Sequence, residues 1–132
     1  MSALQEQIGG GHYKKLKIQP VEYIVANNIP YCEGSCIKYL TRWRDKGGVQ
    51  DLNKAKHFID IIIYHVERIG VTHNPVTVTI HPYKYCLENS VPLNEGIAIS
   101  LVTFWRECSG VDALHMAKER IERIIEEVKN NS

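Results

Sequence analysis

A shift of 62 residues lays the chain over itself. Residues 18–67 align with residues 80–129 without a gap, and 20 of the 50 positions are identical. Ordinary amino-acid usage would give about three matches by chance. A repeat of this strength constrains the fold before any motif is considered. Each copy must fold alike, and about 50 residues alone bury too little surface to be comfortable. The two copies are therefore expected to pack face to face and share one core.

Each copy reads as three helices. Pro20 and Pro82 suit a first helical turn, where the missing N–H would have no partner anyway. Apolar Cys36, Ile37, Leu40 and Trp43 recur at three and four, the helical period. Gly47 and Gly48 follow as a stop signal, since glycine accepts a left-handed cap. The core stripe of the third helix is Leu52, Ala55, Ile59, Ile62, Ile63 and Val66, and Gly70 ends it. The spacing predicts helices over residues 20–27, 33–46 and 49–69, then over 82–89, 95–108 and 111–129. Residues 71–79 are β-branched around a proline, an extended connector or a short strand. The organisation expected is all-α: an arm (1–17), a first three-helix repeat (18–70), a linker (71–79) and a second, diverged repeat (80–132). Together these form one compact domain, a helical bundle with a pseudo-twofold, and Trp43 and Trp105 are natural anchors between the copies.

Composition narrows the function. Sixteen Lys and Arg oppose 15 Asp and Glu, a net charge of +1. Generic nucleic-acid binders carry a larger basic excess, so nucleic acid is not the expected partner. No apolar run approaches the length of a membrane span, and Met1 to Gln7 lack a signal-peptide pattern. Cytoplasmic residence is expected, with Cys32, Cys36, Cys86 and Cys108 as reduced thiols. Nothing at ligand spacing completes a zinc site.

The repeat also provides an internal contrast, because core positions agree between copies while most charged ones do not. Lys38 faces Ser100, Arg42 faces Phe104, Lys46 faces Cys108, Asp51 faces Ala113, Lys54 faces Met116 and His57 faces Glu119. Asp60 keeps only its sign, as Glu122. Either surfaces drifted while the core held, or the first copy retains a site that the second has lost. Lys38 and Arg42 are four apart on one helical face. Lys54, His57 and Asp60 recur at three on the next helix. Two cations facing such a stripe would suit an anionic ligand, with arginine as a planar fork and lysine as a mobile point charge. Asp60 beside His57 could fix the imidazole tautomer or hold a metal. Ahead of the first copy, Gly9, Gly10 and Gly11 precede His12, Tyr13, Lys14 and Lys15. Glycines allow backbone N–H groups close to a ligand, and the basic residues favour an anion. The P-loop spacing is absent. Residues 1–17 carry a net +2 and residues 80–129 a net −2.

Several of these motifs resemble a family as a set. They are Gly9-Gly10-x-His12-Tyr13-Lys14, Ile18-Gln19-Pro20-Val21-Glu22-Tyr23-Ile24, and Ile37-Lys38-Tyr39 with Arg42. Lys46-Gly47-Gly48 and Asp51-Leu52-x-Lys54-Ala55-x-His57-Phe58-Ile59-Asp60 complete it. The set resembles a small phage protein family whose members include a deoxynucleoside monophosphate kinase without a P-loop, and it covers residues 9–66. The resemblance implies a phage protein in the cytoplasm of the infected bacterial host, with a nucleotide as ligand; a homo-oligomer is expected as well. It implies phosphoryl transfer from a nucleoside triphosphate, with Mg2+, to a nucleoside monophosphate. On chemistry, Lys38, Arg42 and Lys54 would take phosphates, with Lys46, Gly10, Gly11, His12 and Lys14 as further ligand contacts. Asp60 or Asp51 would take the metal or the acceptor hydroxyl, His57 would assist, and Tyr13 would stack on a base. Two alternatives stay open. One is a non-catalytic sponge that sequesters a host immune signalling nucleotide. The other is an interaction module that inhibits a host enzyme.

Overall fold

The computed structural model describes residues 16–71 and 76–131, and the arm residues Gly10, Gly11, His12, Tyr13 and Lys14 lie outside them. The protein is all-helical, with six helices and no strand among the described residues. They are α1 (Pro20–Ala26), α2 (Tyr31–Arg42), α3 (Gly48–Ile69), α4 (Pro82–Glu88), α5 (Leu93–Thr103) and α6 (Val111–Asn130). Pro20 and Pro82 open α1 and α4. Asn28 and Ser90 take positive φ values of 53° and 55° as the chain leaves those helices. Pro30 and Pro92 then cap the next helix in extended conformation.

Helices α2 and α5 end earlier than the spacing predicts, at Arg42 and Thr103 rather than at positions 46 and 108. The physical reason is the same in both. Gly48 donates its N–H to the Trp43 carbonyl at 2.7 Å, and Gly110 donates to Trp105 at 2.8 Å. Both glycines sit at positive φ, 58° and 65°. This closes the helix and starts the next at once, which fixes the corner between α2 and α3. The expected extended linker is not a strand in its described part. Thr77 donates to the Asn27 carbonyl at 3.0 Å, so α1 holds the connector directly.

The long helices make the bundle: α2 packs on α3 and α5 on α6 within each half, and α3 meets α6 and α2 meets α5 across them. One hydrophobic core runs through both halves, with Ile37, Leu52 and Ile59 beside Ile99, Leu114 and Ile121. The bonds across the halves are reciprocal, as in an isologous interface. Trp43 Nε1 donates to Glu95 Oε2 at 3.1 Å, and Trp105 Nε1 donates to Glu33 Oε2 at 3.0 Å. Arg44 and Arg106 salt-bridge the same two carboxylates, at 2.9 and 2.6 Å. The Tyr23 hydroxyl meets Thr103 at 2.8 Å and the Tyr85 hydroxyl meets Thr41 at 2.7 Å. Since each threonine hydroxyl donates to its own helix, at Ile99 and Ile37, each tyrosine must be the donor. Asn27 clamps the backbone of Ile80, and Asn89 clamps that of Ile18. Lys56 pairs with Glu122 at 3.5 Å and Lys118 with Asp60 at 2.6 Å. Every polar type among the identical positions (Tyr, Asn, Glu, Thr, Trp, Arg and Lys) is thereby used to join one half to the other.

Candidate functional site

If the shared polar residues hold the halves together, the unshared ones are where a site must be sought. In the first half they converge on Tyr39, near the C-terminal end of α2. The Lys38 Nζ lies 4.9 Å from the centre of the Tyr39 ring, the Arg42 guanidinium 4.8 Å and the Lys54 Nζ 5.4 Å. Three cations therefore gather around one aromatic ring, each within cation–π range. Helix α2 supplies Lys38 and Arg42 at a spacing of four. Lys54 comes from α3, which the tight corner at Gly48 folds back alongside α2.

Among the described residues, Asp51 is a carboxylate that pairs with two of them. Asp51, only 2% exposed, accepts from Arg42 Nε at 3.2 Å and stands 3.9 Å from Lys54 Nζ. Burial lowers the Lys38 pKa below the ordinary lysine value, and the Arg42 charge lowers it further. Asp51 works in the opposite direction, while Lys46 and Lys54 add to the lowering. Among the described residues, three cations and Asp51 thus meet in a partly desolvated place. An arriving anion relieves that repulsion and favours the protonated Lys38.

Aromatic side chains extend from the cluster along one side. Phe58 stacks on Tyr39 at 6.0 Å between ring centres, and Tyr31 meets Phe58 edge-on at 6.0 Å. Beyond Tyr31 lies a recess of about 260 Å³ between α1 and α2, whose lining includes Pro20, Ile24, Gly34, Ser35 and Lys38.

The structure brings together Lys38, Arg42, Lys54 and Asp51 of the residues selected from sequence. Lys46 is exposed on the corner that follows, and its charge reaches Lys38. His57 is exposed, its ring 6.4 Å from that of Phe58 at the outer edge of the aromatic row. Asp60 is not paired with His57. It bonds Lys118 at 2.6 Å and belongs to the contact between α3 and α6. Among the described residues no group of three or more His, Cys, Asp or Glu is placed to hold a metal ion, and no helix is long and apolar enough to cross a membrane. Sequence reasoning gave no role to Tyr39, Phe58 or Tyr31. The signal was available, because the second copy has Leu101, Arg120 and Leu93 at those positions, so the aromatic row is as unshared as the cations.

The second half has a different surface in the matching place. A groove of about 640 Å³ is lined by Pro82, Cys86, Leu93, Gly96, Ile97 and Ser100, the counterparts of Pro20, Ile24, Tyr31, Gly34, Ser35 and Lys38. It is apolar, and Phe104 lines it where Arg42 stands in the first half.

A family model described as a protein of unknown function, DUF3310, matches residues 9–60, a span that contains the whole cation cluster and stops before the second half. No curated protein and no solved structure matches the chain.

Proposed function

We propose that the chain binds a nucleotide through its phosphates at the Lys38–Arg42–Lys54 cluster. The reaction assigned to the site is kinase-like: phosphoryl transfer from a nucleoside triphosphate to a nucleoside monophosphate. The observation that carries the binding reading is the convergence of three cations from two helices on Tyr39, with Asp51 paired to Arg42 beside them. Phosphate oxygens suit this set, since guanidinium can bind in a bidentate way and two ammonium groups can follow the charge. The resemblance of residues 9–66 to a small phage protein family whose members include a nucleotide kinase adds the reaction, the Mg2+ and the setting in an infected bacterium. Such chemistry is largely positioning and charge stabilisation. Lys38 and Lys54 would hold phosphate oxygens, Arg42 would neutralise the charge that develops in transfer, and Asp51 would keep Arg42 in place.

A second reading, capture of a nucleotide without turnover, is favoured by one specific observation. The two acids selected as catalytic are both engaged, Asp51 with Arg42 and Asp60 with Lys118. Incubation with ATP, Mg2+ and each deoxynucleoside monophosphate separates the two readings. Diphosphate product that disappears in Arg42→Ala supports the kinase. Tight binding of a nucleotide with no product over many hours supports capture. Absence of both product and binding overturns the proposal.

A further inference from the structure

The cation cluster accounts for an anionic group but not for the recess beside it. Lys38 belongs to both: it lines the recess and it lies over Tyr39 with Arg42 and Lys54. A molecule that fills the recess and reaches the cations must be apolar at one end and anionic at the other. At about 260 Å³ the recess is smaller than the roughly 300–1,000 Å³ of pockets that enclose a drug-sized ligand. It accepts a fragment of a ligand. Tyr31, 78% exposed, offers an aromatic face at its edge, and the row Tyr31–Phe58–Tyr39 leads from there to the cations. Its other walls are Pro20, Val21 and Ile24 of α1. A flat heterocycle fits such a wall set, since every base has a π-face to stack and apolar edges to bury.

We propose that this recess between α1 and α2 is the base subsite, with the nucleobase against Tyr31 and the phosphates on Lys38, Arg42 and Lys54. This rests on the phosphate reading above and adds to it the part of the ligand that the cations cannot recognise. The second half serves as an internal comparison. Its matching groove has Leu93, Ile97 and Ser100 in place of Tyr31, Ser35 and Lys38; Tyr83 and Phe104 line it from other positions, and no cation does. Only the first half can hold both ends of a nucleotide.

The test compares two probes by calorimetric titration: each deoxynucleoside monophosphate, and deoxyribose 5-phosphate, which carries the same phosphate without a base. The variants are Tyr31→Leu and Ser35→Ile, substitutions whose side chains the second half already accommodates at the matching positions. The expected result is that at least one nucleotide binds wild type about tenfold or more tighter than deoxyribose 5-phosphate. Both variants then remove most of that difference while leaving deoxyribose 5-phosphate binding unchanged, and the unchanged binding also shows that they fold. If the two probes bind wild type alike, or the variants leave the difference intact, the base subsite is overturned and the phosphate reading stands. If neither probe binds wild type, the phosphate reading fails and this inference falls with it.

Discussion

A Cβ atom on Gly47 would lie 2.1 Å from the carboxyl carbon of Asp51. The φ of Gly47, −102°, is open to any residue, so the need for glycine here is space and not conformation. The second half replaces both members together, with Ser109 and Ala113. A side chain returns at the corner where the carboxylate is gone. Gly47 thus admits the acid that pairs with Arg42 in the cation cluster.

The first prediction follows from that pair. Gly47→Ala should push the Asp51 carboxylate aside and cost about 1–3 kcal/mol, the usual range for overpacking. The double variant Gly47→Ala with Asp51→Ala should lose less than the sum of the two single changes, because the clash is then absent. Urea unfolding of the four proteins measures this, and strict additivity would contradict the account.

The fold was legible because two periods coincide in the chain: the 62-residue repeat and the three-and-four spacing inside it. Together they gave six helices, a shared core and the two tryptophans as anchors. The helix ends were less legible, since the bonds from Gly48 to Trp43 and from Gly110 to Trp105 depend on where the tryptophan turns. For the candidate site, the contrast between copies selected Lys38, Arg42, Lys54 and Asp51, which the fold brings together. It also selected Asp60, which pairs with Lys118 instead, because spacing on α3 alone does not tell which face turns to α2 and which to α6. The repeat held the answer, since Lys118 is identical to Lys56 and each pairs with the acid at position 122 or 60. Tyr39 was passed over because an aromatic at helical spacing reads as core, whereas here it is half-buried beneath the cations.

A second prediction concerns the buried carboxylates. Glu33 is 3% exposed and receives both Trp105 Nε1 and Arg106. Glu33→Ala leaves two donors without their acceptor and should cost about 3–5 kcal/mol, as for a broken buried ion pair. Glu95→Ala should cost less, since its partners Trp43 and Arg44 are the same residue types but Arg44 is 52% exposed where Arg106 is 14%. Thermal or urea unfolding reads the loss, and a change below about 1 kcal/mol in either would contradict the reciprocal interface.

Alkaline stability gives a third. Burial pushes the Tyr23 hydroxyl up to about 12 from its ordinary 10, and the buried Cys36 thiol moves up as well. A proton held more tightly in the folded state stabilises it below the unfolded pKa, and that stability is lost as pH rises through the folded one. For Tyr23 the window is pH 10 to about 12. Because Tyr23 donates to Thr103, its ionisation also removes a bond between the halves. Unfolding free energy should fall across this window, and less steeply in Tyr23→Phe. Parallel slopes would contradict the assignment.

Binding should depend on pH through Lys38. Its pKa lies below the ordinary lysine value through burial and the Arg42 charge, and a bound phosphate favours its protonated form. Nucleotide affinity should therefore weaken as pH rises through that lowered pKa, and binding should take up protons there. Lys38→Arg, which stays charged, should flatten the dependence. Titration in buffers of different ionisation heats measures the proton uptake, and identical pH profiles for both proteins would contradict the role given to Lys38.

Lys38, Arg42 and Lys54, none of them shared with the second half, are proposed to form one phosphate site. Calorimetric titration of a nucleotide into wild type, Arg42→Ala and Phe104→Ala tests this, since residues 42 and 104 occupy matching positions. The expected result is one ligand per chain, binding weakened at least tenfold by Arg42→Ala, and binding unchanged by Phe104→Ala. Two ligands per chain, or equal effects at the two positions, would contradict it.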